Sequence, residues 1–230
     1  MTRLIQSLSV LLLVFLISCT DSDDNDSSSS TDCSGVANYI VTFESTWSST
    51  THPSNFPDSP HFSGLIGGTH NEHASFWSVG SAASDGMEDM AETGGKNILA
   101  DEIESSISDG NAISVLSGGN IALSPGSVSL DFNISSVYPY VTLVSMIAPS
   151  PDWFVGVSGL NLCQNGNWVS SEVVDLYAYD AGTDSGATYT AADKDTSPQG
   201  AITELNTGVF KVNGVVPTLG TFTFELVTTY

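Results

Sequence analysis

Three stretches of this chain alternate apolar and polar residues with a period of two. Residues 39 to 46, YIVTFEST, set Tyr39, Val41 and Phe43 against Ile40, Thr42 and Glu44. Residues 127 to 135, SVSLDFNIS, set Val128, Leu130, Phe132 and Ile134 against Ser129, Asp131 and Asn133, and residues 221 to 228, TFTFELVT, repeat the pattern with Phe222, Phe224 and Leu226. Successive side chains of a strand point to opposite faces, so this period requires one face on a core and one in water. Further β-rich runs at 140 to 148, 153 to 158, 172 to 179 and 207 to 212 are separated by Gly, Pro, Asn and Asp clusters. Together these runs predict an all-β fold, an antiparallel β-sandwich. The exception is 84 to 108, where Met87, Met90 and Ala91, then Ile98, Leu99, Ile103 and Ile107, recur at helical spacing on either side of Gly94-Gly95. That spacing predicts two short helices with core-facing methionines and isoleucines.

The chain's start reads differently. Residues 1 to 18 carry Arg3 and an apolar core from Leu8 to Ile17, shorter than the roughly 20 residues a membrane-spanning helix needs, and have the form of an export signal. Leu16-Ile17-Ser18-Cys19 resembles the lipobox of bacterial lipoproteins, which makes Cys19 the expected lipidation site and a membrane tether. Residues 20 to 32 hold five aspartates, five serines and no apolar side chain, too little to offset the entropy of ordering, so 19 to 32 is expected to be a flexible acidic tether. This acidic run also resembles the surface-export signals of Bacteroidetes lipoproteins, although a solvated linker explains it as well. The expectation is a folded domain from 33 to 230, lipid-anchored in the outer membrane, with display on the cell surface as the further expectation from the acidic run.

Charge excludes one class of partner. Of 230 residues, 26 are acidic and four basic, for a net charge of −22. With Arg3 in the leader, three scattered lysines remain, Lys96, Lys194 and Lys211. They cannot form the cationic footprint that a nucleic acid requires. An acidic surface does attract divalent cations, but it is equally an adaptation to a saline medium. With Cys19 in the tether, Cys33 and Cys163 remain as an even pair in an exported protein, and a disulfide is the natural reading.

Familiar catalytic signatures are missing from the sequence: there is no Gly-x-Ser-x-Gly elbow, no phosphate-binding glycine loop and no thiol left for nucleophilic work. His70-Asn71-Glu72-His73 offers two imidazoles and a carboxylate, but zinc-protease helices need His-Glu-x-x-His, and the better reading is a loop entering a packed segment. Paired carboxylates for glycoside cleavage are always available among 26 acids, and their separation is invisible in sequence. Asn133-Ile134-Ser135 matches a glycosylation sequon inside an alternating strand.

Three aspartates stand apart by arrangement. Asp152 sits at the Pro-Ser-Pro-Asp corner before one strand, and Asp180 and Asp184 flank Ala-Gly-Thr at the end of another. Aspartate beside Pro and Gly forms turns, and on spacing alone that is the simpler account. The second account is a shared calcium ion, which takes six to eight oxygens from carboxylates, carbonyls and water and suits irregular Gly-containing loops.

PSPDWFVG, Leu162-Cys163 and DLYAYDAGTDSG resemble the spondin domain of F-spondin and mindin, and Cys33 with YIVTFESTW, GLIGGTH, FWSVG and MAETG fits the same domain. The likeness runs from about Cys33 to the C-terminus. It implies a sandwich similar to the membrane-docking domains of protein kinase C, a calcium ion held by Asp152, Asp180 and Asp184, and a Cys33–Cys163 disulfide. A second disulfide of F-spondin has no cysteines here, which leaves the loop Gln164 to Trp168 looser in expectation. The expected function is a noncatalytic, calcium-binding adhesion or recognition module with an extracellular protein or glycan partner. The alternative is a metal- or carboxylate-dependent hydrolase of extracellular polysaccharide.

Overall fold

A computed structural model describes residues 33 to 230; the export signal, Cys19 and the acidic tether lie outside the described residues. The three alternating runs form strands β1 (Val36–Ser45), β5 (Gly126–Ser135) and β13 (Gly220–Thr229). They lie side by side in a four-stranded antiparallel sheet completed by β10 (Ser171–Leu176), in the order β10-β13-β1-β5. Phe43 pairs with Phe222 and with Val128 across its two neighbours, so the apolar faces coincide along the sheet.

The facing sheet contains β2 (His61–Phe62), β3 (Ile66–His70), β4 (Ala112–Ser117), β6 (Tyr140–Ala148), β7 (Trp153–Asn161), β11 (Tyr179–Asp180) and β12 (Thr203–Glu204), ordered β12-β11-β7-β6-β3-β4 with β2 beside β6. β6 is buried at almost every position because both its faces are covered. Val141, Leu143 and Ile147 enter the core between the sheets, with Tyr39, Phe43, Phe132 and Phe222. Val144, Met146 and Ala148 face a second cluster built by the helices α1 (Asp85–Thr93) and α2 (Asn97–Ser108), with Met87, Met90, Leu99 and Ile103. The two helices therefore cover the outer face of this sheet, which is why the run 140 to 148 lacks alternation.

Both helices end where the sequence predicts. Ser84 caps α1 by accepting from the Met87 N–H at 3.2 Å, and Glu102 of α2 accepts from the Gly86 N–H at 2.8 Å and from the Ser84 hydroxyl at 2.7 Å. These bonds satisfy amides that a helix start leaves free and tie the helices together.

Four local expectations need correction. The run 207 to 212 is not a strand but carries a 3-10 turn, Gly208–Phe210, placing Val209 and Phe210 in the core. The run 172 to 179 is two strands in different sheets, β10 and β11, with the chain crossing between the sheets at Tyr177-Ala178. Ile98 is 43% exposed rather than core-facing. Gln164 to Trp168 is not loose: Cys163–Gln164 (β8) and Asn167–Trp168 (β9) form a hairpin whose turn residues Asn165 and Gly166 have φ of 52° and 76°. Positive φ at both positions is the type I′ geometry that Asn-Gly favours. Trp168 then donates its indole N–H to the Ser34 carbonyl at 3.1 Å. Cys33 and Cys163 are disulfide-bonded.

Candidate metal centre

β11 brings the aspartate segments together. It pairs with the start of β7, Asp180 opposite Trp153 and Tyr179 opposite Phe154, and the Ala181 N–H donates to the Asp152 carbonyl at 3.1 Å. Asp152 precedes β7 directly, so the ladder sets the PSPD corner against the loop carrying Asp184.

Asp152 is fully buried, at 0% exposure. Its Oδ2 accepts from the Thr183 N–H at 2.8 Å, the Asp184 N–H at 3.1 Å and the Thr183 hydroxyl at 3.4 Å. Its Oδ1 is buried without any hydrogen-bond partner. Burial pushes the Asp152 pKa up to about 6, with the charges of Asp180 and Asp184 adding to the rise and the two backbone amides opposing it. Burial likewise raises the Asp180 pKa, with the Asp184 charge contributing.

Each of the other two aspartates also shapes its own turn. Asp180 Oδ1 accepts from the Gly182 N–H at 2.9 Å. Asp184, 4% exposed, accepts from the Gly186 N–H at 2.5 Å and from the Lys194 N–H. Turn formation and clustering therefore coexist. Among the described residues no three acidic, imidazole or thiol groups stand in ready-made metal-ligand geometry, and amides occupy part of each aspartate's acceptor capacity.

The unpartnered Asp152 Oδ1, with the charges of Asp180 and Asp184 acting on the same carboxyl, nevertheless leaves a demand of the kind a hard cation meets. A carboxylate oxygen sealed from water and from every N–H is costly, and the costs mount when two like charges lie beside it. A divalent ion bound by oxygen ligands removes both costs at once. Asp152, Asp180 and Asp184 are the residues that would hold it.

Two residues escaped the sequence reading. Thr183 contributes both its N–H and its hydroxyl to Asp152. Glu92, in the last turn of α1, has a buried Oε1 without a partner; burial raises its pKa, and the charges of Glu88, Asp152 and Asp193 add to that rise. The one clue in sequence is an acid at a helix C-terminus, where the macrodipole disfavours it.

The histidine cluster does not converge. His70 ends β3, a strand inside the sheet rather than a loop, and is 2% exposed, whereas Glu72 and His73 are exposed. The His70 Nδ1 donates to the Asn71 carbonyl at 2.8 Å, and its Nε2 lies 2.8 Å from the Thr142 hydroxyl, which itself accepts from the Gly159 N–H at 2.9 Å. This chain of bonds uses a neutral imidazole as a structural link.

A match to the Spondin_N family model covers residues 37 to 212, which includes all three aspartates and Glu92. The chain belongs to the spondin family. It is 36% identical to Spondin-2 of Rattus norvegicus over 174 residues, covering 74% of this chain and 53% of that protein. Identity to Spondin-2 of Homo sapiens is 36% over 177 residues, and to Spondin-1 of Mus musculus 36% over 177 residues, with 22% of the latter covered. The spondin domain thus spans about half the length of the Spondin-2 relatives and a smaller share of Spondin-1.

Proposed function

We propose that this chain is a noncatalytic recognition module, exported and lipid-anchored through Cys19 at the outer surface of a bacterial envelope, whose binding end is organised by calcium. Membership of the spondin family supports an extracellular adhesion role, with a protein or glycan partner. The observation that carries the calcium part is the Asp152 Oδ1, buried without a partner in a carboxyl on which the charges of Asp180 and Asp184 also act. Calcium supplies positive charge there. The chain supplies Asp152, Asp180 and Asp184 as ligands, and Thr183, Gly182 and Gly186 hold those carboxylates in place through their amides.

The placement of the site suits outward display. Asp152 lies just before β7 and Cys163 just after it, and the strand is 9 residues long, about 30 Å. Cys33, where the N-terminal segment joins the domain, is bonded to Cys163. The carboxylate loops therefore sit at the opposite end of β7 from Cys33.

The hydrolase reading draws on the Asp152 pKa of about 6, a range that suits a general acid. Against it, an acid must touch the scissile oxygen, and Asp152 is 0% exposed. Thermal melting with and without a calcium chelator tests the proposal. Chelation is expected to lower the melting temperature of the wild type and to leave Asp180→Ala unaffected; identical wild-type curves would remove calcium from the account.

A further inference from the structure

β7 is paired unequally on its two sides. β6 runs beside it from Phe154 to Asn161, whereas β11 reaches only Trp153 and Phe154. Among the described residues no strand lies on the β11 side beyond Phe154, so the rest of β7 is a sheet edge. Antiparallel pairing fixes which backbone groups face that edge. The Ala181 N–H donates to the Asp152 carbonyl and Tyr179 stands opposite Phe154, so residues 152 and 154 turn their backbone polar groups toward β11. The two-residue alternation turns Gly156 and Ser158 the same way, past the end of β11. A bulge then ends the straight edge at Gly159, where φ is 62°.

This edge lines a groove of about 540 Å³. Trp77 and Val79 line it from the segment before α1, Tyr179 from β11, and Val174 and Asp175 from β10, the outermost strand of the other sheet. Val79 is 59% exposed. Asp175, also exposed, is the one charged side chain in the lining. An unpaired edge is a template for another strand, and apolar walls beside it give alternate side chains somewhere to pack.

We propose that this groove takes an extended segment of a partner protein, added as a strand beside Gly156 and Ser158. Its apolar side chains pack on Trp77, Val79 and Tyr179, and a basic one meets Asp175. The proposal rests on the recognition reading above, specifically on its protein partner, and needs no calcium. Charge decides the occupant. With a net charge of −22 a second copy repels, and residues 20 to 32 of the chain itself would bring five aspartates and no apolar side chain. A strand that alternates apolar and basic residues suits both the walls and the acid.

A random library of displayed octapeptides, selected on the purified protein, tests this. Enriched sequences are expected to alternate apolar and basic residues, and a synthetic copy should slow amide exchange at Gly156 and Ser158. N-methylation of every second amide should weaken its binding at least tenfold in one frame and leave it within about threefold in the other, as backbone pairing requires. Asp175→Lys should weaken binding about tenfold, whereas Glu104→Lys, the same charge change at an exposed site on α2, should match the wild type. Equal losses in both frames, or unchanged exchange at both amides, would overturn strand addition. Protection of those amides by raised protein concentration alone would make a second copy the occupant and overturn the peptide partner. An empty selection from a protein that still binds glycans or cells overturns the groove and spares the recognition reading. Binding to no peptide, glycan or cell overturns both.

Discussion

Cys33 is bonded through sulfur to Cys163, 130 positions further along the chain, with their Cα atoms 5.8 Å apart. The bond secures the entry of the domain to the end of β7, where the β8-β9 hairpin and the Trp168 bond to Ser34 also converge. A cross-link that closes so long a loop restricts the unfolded chain strongly, for a stabilisation of about 2 to 5 kcal/mol. Replacing both cysteines by serine is expected to lower the melting temperature by roughly 5 to 15 °C. The carboxylate end, a strand's length away, should keep its response to calcium. Melting of the double variant in calcium and in chelator checks both expectations.

The alternating strands were legible because each has one face on the core and one in water, and β1, β5 and β13 follow the pattern closely. β3 was not, although its motif carried part of the family likeness. Its residues Ile66–His70 are buried at every position, covered by the sandwich core on one side and by the helices on the other, and its glycines resemble a loop. The site was legible in part. Proline and glycine announced the turns around Asp152, Asp180 and Asp184, and strand pairing then joined them. Glu92 was hidden, since an acid on an amphipathic helix looks like its solvated face until the fold turns it against the Thr183 loop.

Gly67 tests the reading of β3. A Cβ at this position would come 1.9 Å from the Thr142 carbonyl oxygen of β6, which is backbone and cannot swing aside. Gly67→Ala must push apart two central strands, a strain of about 3 kcal/mol or more. Denaturant unfolding should show a loss of that order. A loss under 1 kcal/mol would mean that the strands are less tightly apposed than the pairing of Gly67 with Leu143 requires.

His70 predicts a dependence on pH. Burial lowers its pKa below the usual 6.5, opposed in part by the hydrogen bond to the Asn71 carbonyl. The unfolded chain therefore binds the proton more readily than the native one, and this contribution to stability is full above about pH 6.5 and is lost as pH falls. His52, also buried with a lowered pKa, acts in the same direction. His70→Gln removes one of the two titrations. Its stability deficit relative to wild type, about 1 to 3 kcal/mol at pH 7.5 from the broken hydrogen-bond chain, should shrink at pH 5.5. Urea unfolding of both proteins in chelator at the two pH values measures the difference; a deficit that grows on acidification would contradict a neutral His70.

Asp152→Asn separates a cation ligand from a plain turn-former, because the two roles predict opposite signs in chelator. Asparagine keeps one carbonyl oxygen for the Thr183 and Asp184 amides and removes the charge. With the Asp152 pKa pushed from 3.8 to about 6 inside a fully buried site, holding the bare carboxylate ionised at neutral pH costs about 3 kcal/mol. In chelator the variant should therefore equal or exceed the wild type in stability. In calcium at a hundred times its dissociation constant the wild type should gain about 2.7 kcal/mol, a gain the variant lacks. The two melting curves should then exchange order between chelator and calcium. A turn-forming Asp152 with no cation predicts something else: the variant loses its charge-assisted bonds to the loop and melts below wild type in both media, with no exchange of order.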